Sequence, residues 1–259
     1  AMNRKLAAEG NAEANVWADR VEACFVRDSL LCYDYNHHVA DGKWNHYMDQ
    51  VHIGYTSWHA PRYNRMPEVE RVAGQPEGLL TGYVFREKGG VVSMEAEHVF
   101  AVEDAAEAAW TVIPGLGRTL SGLTLMPYTA TPDGAQADYR MRIEAVRDSV
   151  DVYLTFAATM PFLPGGHHAS VSLDGSADAT IGLNQDLTWE NKYTLMYPTA
   201  AARIISKRVR LLLPETSDGM HTLTYRPLQP GVVLEKVIVD CGGYERTHLG
   251  MPESPYEKK

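Results

Sequence analysis

The stretch Ser93-Met94-Glu95-Ala96-Glu97-His98-Val99 sets two carboxylates two residues apart where a strand begins. Side chains at i and i+2 of a strand share a face. Two carboxylates on one face can act as an acid/base pair, supply half of a metal site, or stand as a solvated patch. A glycosidase pair must flank a bond with carboxyl groups about 5–9.5 Å apart. Glu95 and Glu97 reach only the short end of that range and project in parallel, which argues against catalysis.

Other reactive groups are less suggestive still. His37 and His38 are adjacent, so a regular element cannot aim both at one metal. His167 and His168 follow "LPGG" in an expected loop with no carboxylate or cysteine at ligand spacing, and read as solvated. His46 and His52, six apart, fall on different faces of an expected helix, and no H-E-x-x-H pattern occurs. Ser121 in "GRTLSGL" lacks the G-x-S-x-G elbow. "IPGLGR" precedes a strand rather than a helix, so it reads as a turn and not a phosphate loop.

The chain of 259 residues carries 24 basic and 33 acidic side chains, a formal charge of −9. No dense Lys/Arg patch interrupts the acidic surplus, which argues against nucleic acid or an anionic membrane as partner. Sugars and other neutral ligands fit at least as well. No run approaches the roughly 20 apolar residues that span a bilayer, and "AMNRKLAAEG" has no signal-peptide pattern. Its abrupt start in helix-forming residues suggests a chain that begins inside something larger. Cys24 and Cys32 lie roughly 12 Å apart along one expected helix, too far for a disulfide. With Cys241 alone, neither a zinc site nor a disulfide framework is indicated.

Helical spacing runs from Ala12 to about Tyr35 through Trp17, Val21, Cys24 and Leu31. A turn follows at His37–Gly42, and Trp44, Met48, Val51 and Tyr55 at i, i+4, i+7 and i+11 predict a second helix. Residues 1–60 are therefore expected to form a helical hairpin, and residues 61–90 a linker rich in proline and aromatic residues. From 91 to 259 some ten short strands separated by turn residues predict an antiparallel, jelly-roll-like β-sandwich. "AEAAW" reads as a helical turn. In "HTLTYRPL", Leu223 and Tyr225 face one way and Thr222, Thr224 and Arg226 the other. In "VVLEKVIVD", Glu235 falls in the row of Val233, Val237 and Val239, where a buried carboxylate needs a partner.

"DGKWNHYMDQVHIGYTSWHAPRYNRMP" resembles the end of the helical region that follows the catalytic domains in glycoside hydrolase family 115, the xylan α-glucuronidases. "VSMEAEHV", "WTVIPGLGRTLSGLTLMPYTA", "ASVSLDG", "GMHTLTYRPLQPGVVLEKVIVDCGG" and "THLGMPES" resemble that family's C-terminal β-sandwich domain in the same order, over about residues 12 to 255. Met251 stands where a proline is expected. The resemblance implies long, commonly dimeric enzymes that remove glucuronic or 4-O-methyl-glucuronic acid from xylan, with catalytic carboxylates upstream. It implies a non-catalytic C-terminal portion whose partners are those upstream domains and, in the full-length protein, a second copy.

Two site expectations remain, one from a further resemblance and one from the residues themselves. "EAE" is also similar to sugar-binding β-sandwich modules in which this motif helps hold a structural calcium beside the last strand. Glu95, Glu97, Glu235 and Asp240 are the candidate calcium ligands, with Glu235 where those modules carry an aspartate. The alternative is ordinary hydrogen-bonded strand residues. Tyr55, Trp58, His59, Arg62 and Tyr63 form a compact set able to stack on sugar rings and pair a uronate carboxylate through the arginine fork. The same residue types suit packing against neighbouring domains or a second subunit. A polysaccharide-binding module would also expose aromatics on a sheet face or rim, for which Tyr128, Tyr139, Tyr153 and Trp189 are available.

Overall fold

A computed structural model describes residues 2–8, 10–73, 79, 81–144 and 147–258. The chain divides into two units, Ala1–Gly78 and Leu79–Lys259. The expected linker is thus split: its first part belongs to the helical unit, and residues 83–86 already form a strand of the second. Residues 74–78 and 80 of that linker, and Ala145 and Val146 of an expected strand, lie outside the described residues. No helix among the described residues is long and apolar enough to cross a membrane.

In the first unit α1 (Met2–Ala8) and α2 (Glu13–His37) are the helical pair. Between them Asn11 Oδ1 accepts the Glu13 backbone N–H at 2.9 Å, satisfying a donor that the start of a helix leaves open. The second helix expected over Trp44–Tyr55 does not form. The chain leaves α2 through a 3-10 turn, Val39–Gly42, with Ala40 and Asp41 at φ 51° and 55°. Left-handed backbone breaks helical continuity and costs an L-residue roughly 1–2 kcal/mol. Asparagine side chains then take up backbone groups that a helix would have paired internally. Asn36 Oδ1 accepts the Met48 N–H at 2.9 Å, and Asn64 Oδ1 accepts those of His52 and Ile53 at 2.9 and 3.0 Å.

Two further asparagines tie the extended segment at 68–72 to the helices. Asn3 donates to Ala14 O (2.8 Å) and Glu70 O (2.7 Å) and accepts the Glu70 N–H (2.8 Å). Asn15 makes the matching pair with Val72, at 2.9 and 3.0 Å. Each amide thus imitates the donor and acceptor of a strand neighbour.

The second unit is a two-sheet sandwich. One sheet is ordered β13 (Tyr256–Lys258), β1 (Tyr83–Arg86), β6 (Gln136–Arg142), β11 (Met220–Pro227), β8 (His168–Leu173), β9 (Ala179–Gly182), with β3 (Ala101–Glu103) also on β6. The other is ordered β10 (Ile204–Leu212), β7 (Ser149–Ala157), β12 (Leu234–Asp240), β5 (Gly122–Met126), β4 (Ala109–Ile113), with β2 (Val91–Glu95) also on β12. Pairing is antiparallel except for β1 on β6, which runs parallel. That pair departs from the all-antiparallel expectation.

Alternation places the core. Along β7 every second residue, Val150 to Phe156, is buried, and β11 buries His221, Leu223 and Tyr225 while Thr222, Thr224 and Arg226 turn outward, as the pattern predicts. Phe85, Tyr139, Leu173 and Tyr225 meet Met94, Leu154, Phe156 and Val237 between the sheets. Strands β1 and β13 escaped the sequence reading, as did a π-helical turn, Lys192–Met196, running into α3 (Tyr197–Ala202). The helical turn expected at "AEAAW" is absent, because β4 starts at Ala109 within it.

Candidate functional site

The outer face of the second sheet carries a cleft of about 1130 Å³. Its floor follows from register. Arg208 of β10, Tyr153 of β7 and Ile238 of β12 lie in one cross-strand row. Ser206, Thr155 and Lys236 form the next, and Lys236 continues to Glu95 of β2. The walls are the β4–β5 loop at Arg118 and Thr119, α3, and the segment Tyr244–Gly250 after β12. That last segment leaves the sheet through Gly242-Gly243, which packs on the Gly89-Gly90 turn, where a Cβ at Gly243 would overlap the Gly89 carbonyl oxygen.

Glu235 reaches the cleft through a bulge. The pairing of β12 with β7 shifts between Leu234 and Lys236, so Glu235 is not confined to the apolar row and joins Lys236 in the lining. Its Oε2 accepts the Arg118 backbone N–H at 3.2 Å. Burial pushes its pKa upward, countered by Arg118 and reinforced by the charge of Glu95.

The cleft is basic. Lys207 is paired with Asp186, and Arg208 shares Asp151 with Arg210. Those guanidiniums, Arg210 first, hold Asp151 below the usual carboxylate range. Arg118 spends its fork on the carbonyls of His248 and Ala202, not on a carboxylate. Arg246 has no ion-pair partner among the described residues. Tyr153 and Tyr244 stack with ring centroids 4.1 Å apart at 18°, giving the basic cleft a flat aromatic slab.

Beside the cleft, "SMEAEH" meets the terminal motif. Ser254 accepts the Ser93 N–H through Oγ at 2.9 Å and donates its own N–H to Ser93 O at 2.8 Å; Ser93 Oγ donates to Met251 O at 3.0 Å. The contacts of Met251 run through its carbonyl, which the expected proline would also present. Lys236 Nζ bridges Glu95 Oε1 (2.9 Å) and Met251 O (3.0 Å), and the Thr119 hydroxyl donates to the same Glu95 oxygen at 2.7 Å. Glu95 Oε2 is buried with no hydrogen-bond partner among the described residues.

His98 Nδ1 lies 2.6 Å from Glu253 Oε1. Burial opposes the imidazolium, but the Glu253 contact, with Glu97 and Glu95 nearby, outweighs it and raises the pKa of His98. A histidine raised in the folded state contributes stability that is complete below its unfolded pKa of about 6.5 and is lost as pH rises through the folded value. The stability gap between wild type and His98→Gln, from urea midpoints, is therefore expected to shrink as pH rises from about 6 to 9. A gap constant over that range would contradict this.

The four expected calcium ligands do not form one site. Asp240 stands five residues beyond Glu235 along β12, about 16 Å at strand rise, and its Oδ1 already accepts the N–H groups of Gly242, Gly243 and Tyr244. No three ligand atoms from Glu95, Glu97 and Glu235 converge within metal-binding distance, and the Lys236 ammonium lies against Glu95 where a cation would sit. Calcium added to chelator-treated protein is expected to leave Tm unchanged; a calcium-dependent rise would restore the metal site.

Tyr55, Trp58, Arg62 and Tyr63 belong to the first unit, whereas the cleft is built from the second. Trp58 is 86% exposed and lies tilted against the His59 ring, and Tyr63 carries Arg65 over its ring. Of the four sandwich aromatics, Tyr153 alone lines the cleft. Tyr139 is buried and donates its hydroxyl to Ala96 O. His167, read as solvated, is buried edge-on to Phe162.

Residues 84–253, more than half of the chain, match the model of the glycosyl hydrolase family 115 C-terminal domain. The chain belongs to that family. A search of curated proteins found no match. Among solved structures, the chain is similar to a family GH115 4-O-methyl-alpha-glucuronidase, BtGH115A, described as specific for decorated arabinogalactans, at 21% identity and TM-score 0.40, over 87% of this chain and 25% of that one. The chain thus spans a quarter of that enzyme's length. It is also similar to the C-terminal CBM6 of a laminarinase from Zobellia galactanivorans (10% identity, TM-score 0.38, 58% of this chain, 98% of that one). A family 35 carbohydrate binding module from Clostridium thermocellum gives 11% identity and TM-score 0.38, over 57% of this chain and 97% of that one. Family membership makes the chain an accessory domain of a glycoside hydrolase.

Proposed function

We propose that this chain is the non-catalytic C-terminal portion of an α-glucuronidase acting on (4-O-methyl)glucuronic acid side chains of xylan, and that its cleft holds such an acidic glycan. The observation that carries the reading is Arg118 and Arg246, two guanidiniums that line the cleft with the Tyr153–Tyr244 slab and have no carboxylate ion-pair partner among the described residues, Arg118 being held by two carbonyls. An arginine fork matches a uronate carboxylate, and a tyrosine slab with the Thr155 and Ser206 hydroxyls suits a sugar face. Hydrolysis belongs to upstream domains: Glu235 is the single carboxylate among the lining residues, and the usual glycosidase mechanism needs two.

A second role rests on the first unit. Val26, Leu30, Leu31 and Tyr33 are exposed on α2, an apolar surface suited to cover by the upstream catalytic domains of the same protein or, in the full-length homodimer, by a second copy. The binding reading is tested by native gels. Glucuronoxylan is expected to retard the chain more than unsubstituted xylan does, with no glucuronic acid released from decorated xylo-oligosaccharides. Equal mobility in both gels would sink it, and release of glucuronic acid would overturn the non-catalytic assignment.

A further inference from the structure

In the first unit the fold brings one distant side chain to two neighbours on a helix. Asp28 and Cys32 stand one turn apart on α2 and so share a face. The loop that replaces the expected second helix lays His52 against them. His52 Nε2 lies 2.9 and 3.0 Å from the two Asp28 oxygens, and one ligand atom each from Asp28, Cys32 and His52 falls within 4.8 Å of the others.

The imidazole is held in a ligand's orientation. Its Nδ1 lies 2.9 Å from Gln50 O, which turns Nε2 toward Asp28, while Asn64 Oδ1 fixes the backbone by accepting the His52 and Ile53 N–H groups. One ring nitrogen on a carbonyl and the other facing the ligand set is the outer-shell arrangement of metal-bound histidines. A thiolate, an imidazole and a carboxylate together suit a borderline divalent metal better than calcium or magnesium.

We propose that Asp28, Cys32 and His52 form a binding site for a divalent transition metal, zinc foremost, with water as the fourth ligand. Bonds of about 2.0–2.3 Å place tetrahedral ligand atoms about 3.3–3.8 Å apart, so side-chain rotation of about 1 Å closes the set. Binding displaces the proton between Nε2 and Asp28 and the proton of the Cys32 thiol, so affinity falls as pH falls. The ion would cross-link α2 to the loop at 50–65.

The test is cobalt(II) titration of the whole chain, stripped of metal and kept reduced with a phosphine. The proposal expects tetrahedral visible bands and a thiolate-to-cobalt charge-transfer band in the near ultraviolet, saturating at one equivalent and displaced by zinc. Cys32→Ser should abolish the charge-transfer band, His52→Gln should weaken binding at least tenfold, and Cys24→Ser should change neither. Metal-free circular dichroism melts matching wild type would show that the variants fold. Cobalt bound without the charge-transfer band, a band surviving in Cys32→Ser, or one lost in Cys24→Ser would overturn the proposal.

Discussion

Replacing Lys236 by methionine is expected to remove about 3–5 kcal/mol of stability, although the stem stays the same length. The Lys236 and Glu95 side chains are only 6% and 7% exposed and meet at 2.9 Å. Removing one partner of a buried pair strands the other charge, which costs more than the pair itself contributes. Glu95 would keep only the Thr119 hydroxyl and its backbone contacts. The loss should be largely recovered in a Glu95→Gln/Lys236→Met double variant, because the stranded charge is then gone. Urea denaturation of the four proteins gives the cycle. A loss below about 1 kcal/mol would place the pair in the class of surface ion pairs. Lys236 also joins the sheet to the Met251 carbonyl, so the single variant should loosen the cleft wall at Tyr244–Gly250.

Arg246→Ala is expected to weaken binding of glucuronoxylan about tenfold to more than a hundredfold, with little effect on stability. Hydrogen bonds to charged groups contribute about 1.5–3 kcal/mol, and Arg246, exposed and without an ion-pair partner among the described residues, has none to lose on truncation. Arg118→Ala should weaken binding as much but also melt earlier, since its fork joins the carbonyls of His248 and Ala202 across the cleft. Affinity gels with glucuronoxylan, run beside thermal melts, separate the two effects. Binding unchanged in both variants would remove the arginines from the account.

What the sequence disclosed and concealed follows from the range of each interaction. The outward and inward residues of β11 were legible because period-two alternation is local, and the family motifs were legible as an ordered set. The helix expected over Trp44–Tyr55 had helical spacing but no caps, and positive φ at Ala40 and Asp41 with asparagine contacts overrode it. The resemblance to sugar-binding modules groups Asp240 with Glu235 as ligands on the last strand, but along a strand five residues carry it clear of the site. The pairing of Lys236 with Glu95 is a register fact, and the turning of Glu235 into the cleft is a bulge; neither has a composition signal. Arg118, Tyr244 and Arg246 come from two loops that meet only in the fold. Their one available signal was that "GLGRTLSG" and "THLGMPES", both motifs of the family pattern, lie in or directly beside those loops. Spacing also hid His52 from Asp28 and Cys32, since a helix over Trp44–Tyr55 would have aimed it elsewhere.

The cleft over Tyr153 and Thr155 is proposed to take an acidic sugar. Nuclear magnetic resonance titration of the labelled chain with a glucuronic-acid-substituted xylo-oligosaccharide, against the same oligosaccharide without the acid, tests it most directly. Shifts confined to Arg118, Tyr153, Thr155, Tyr244 and Arg246 are expected with the acidic ligand, and weaker or no shifts with the neutral one. Shifts of equal size with both ligands, or shifts clustered away from these residues, would contradict it.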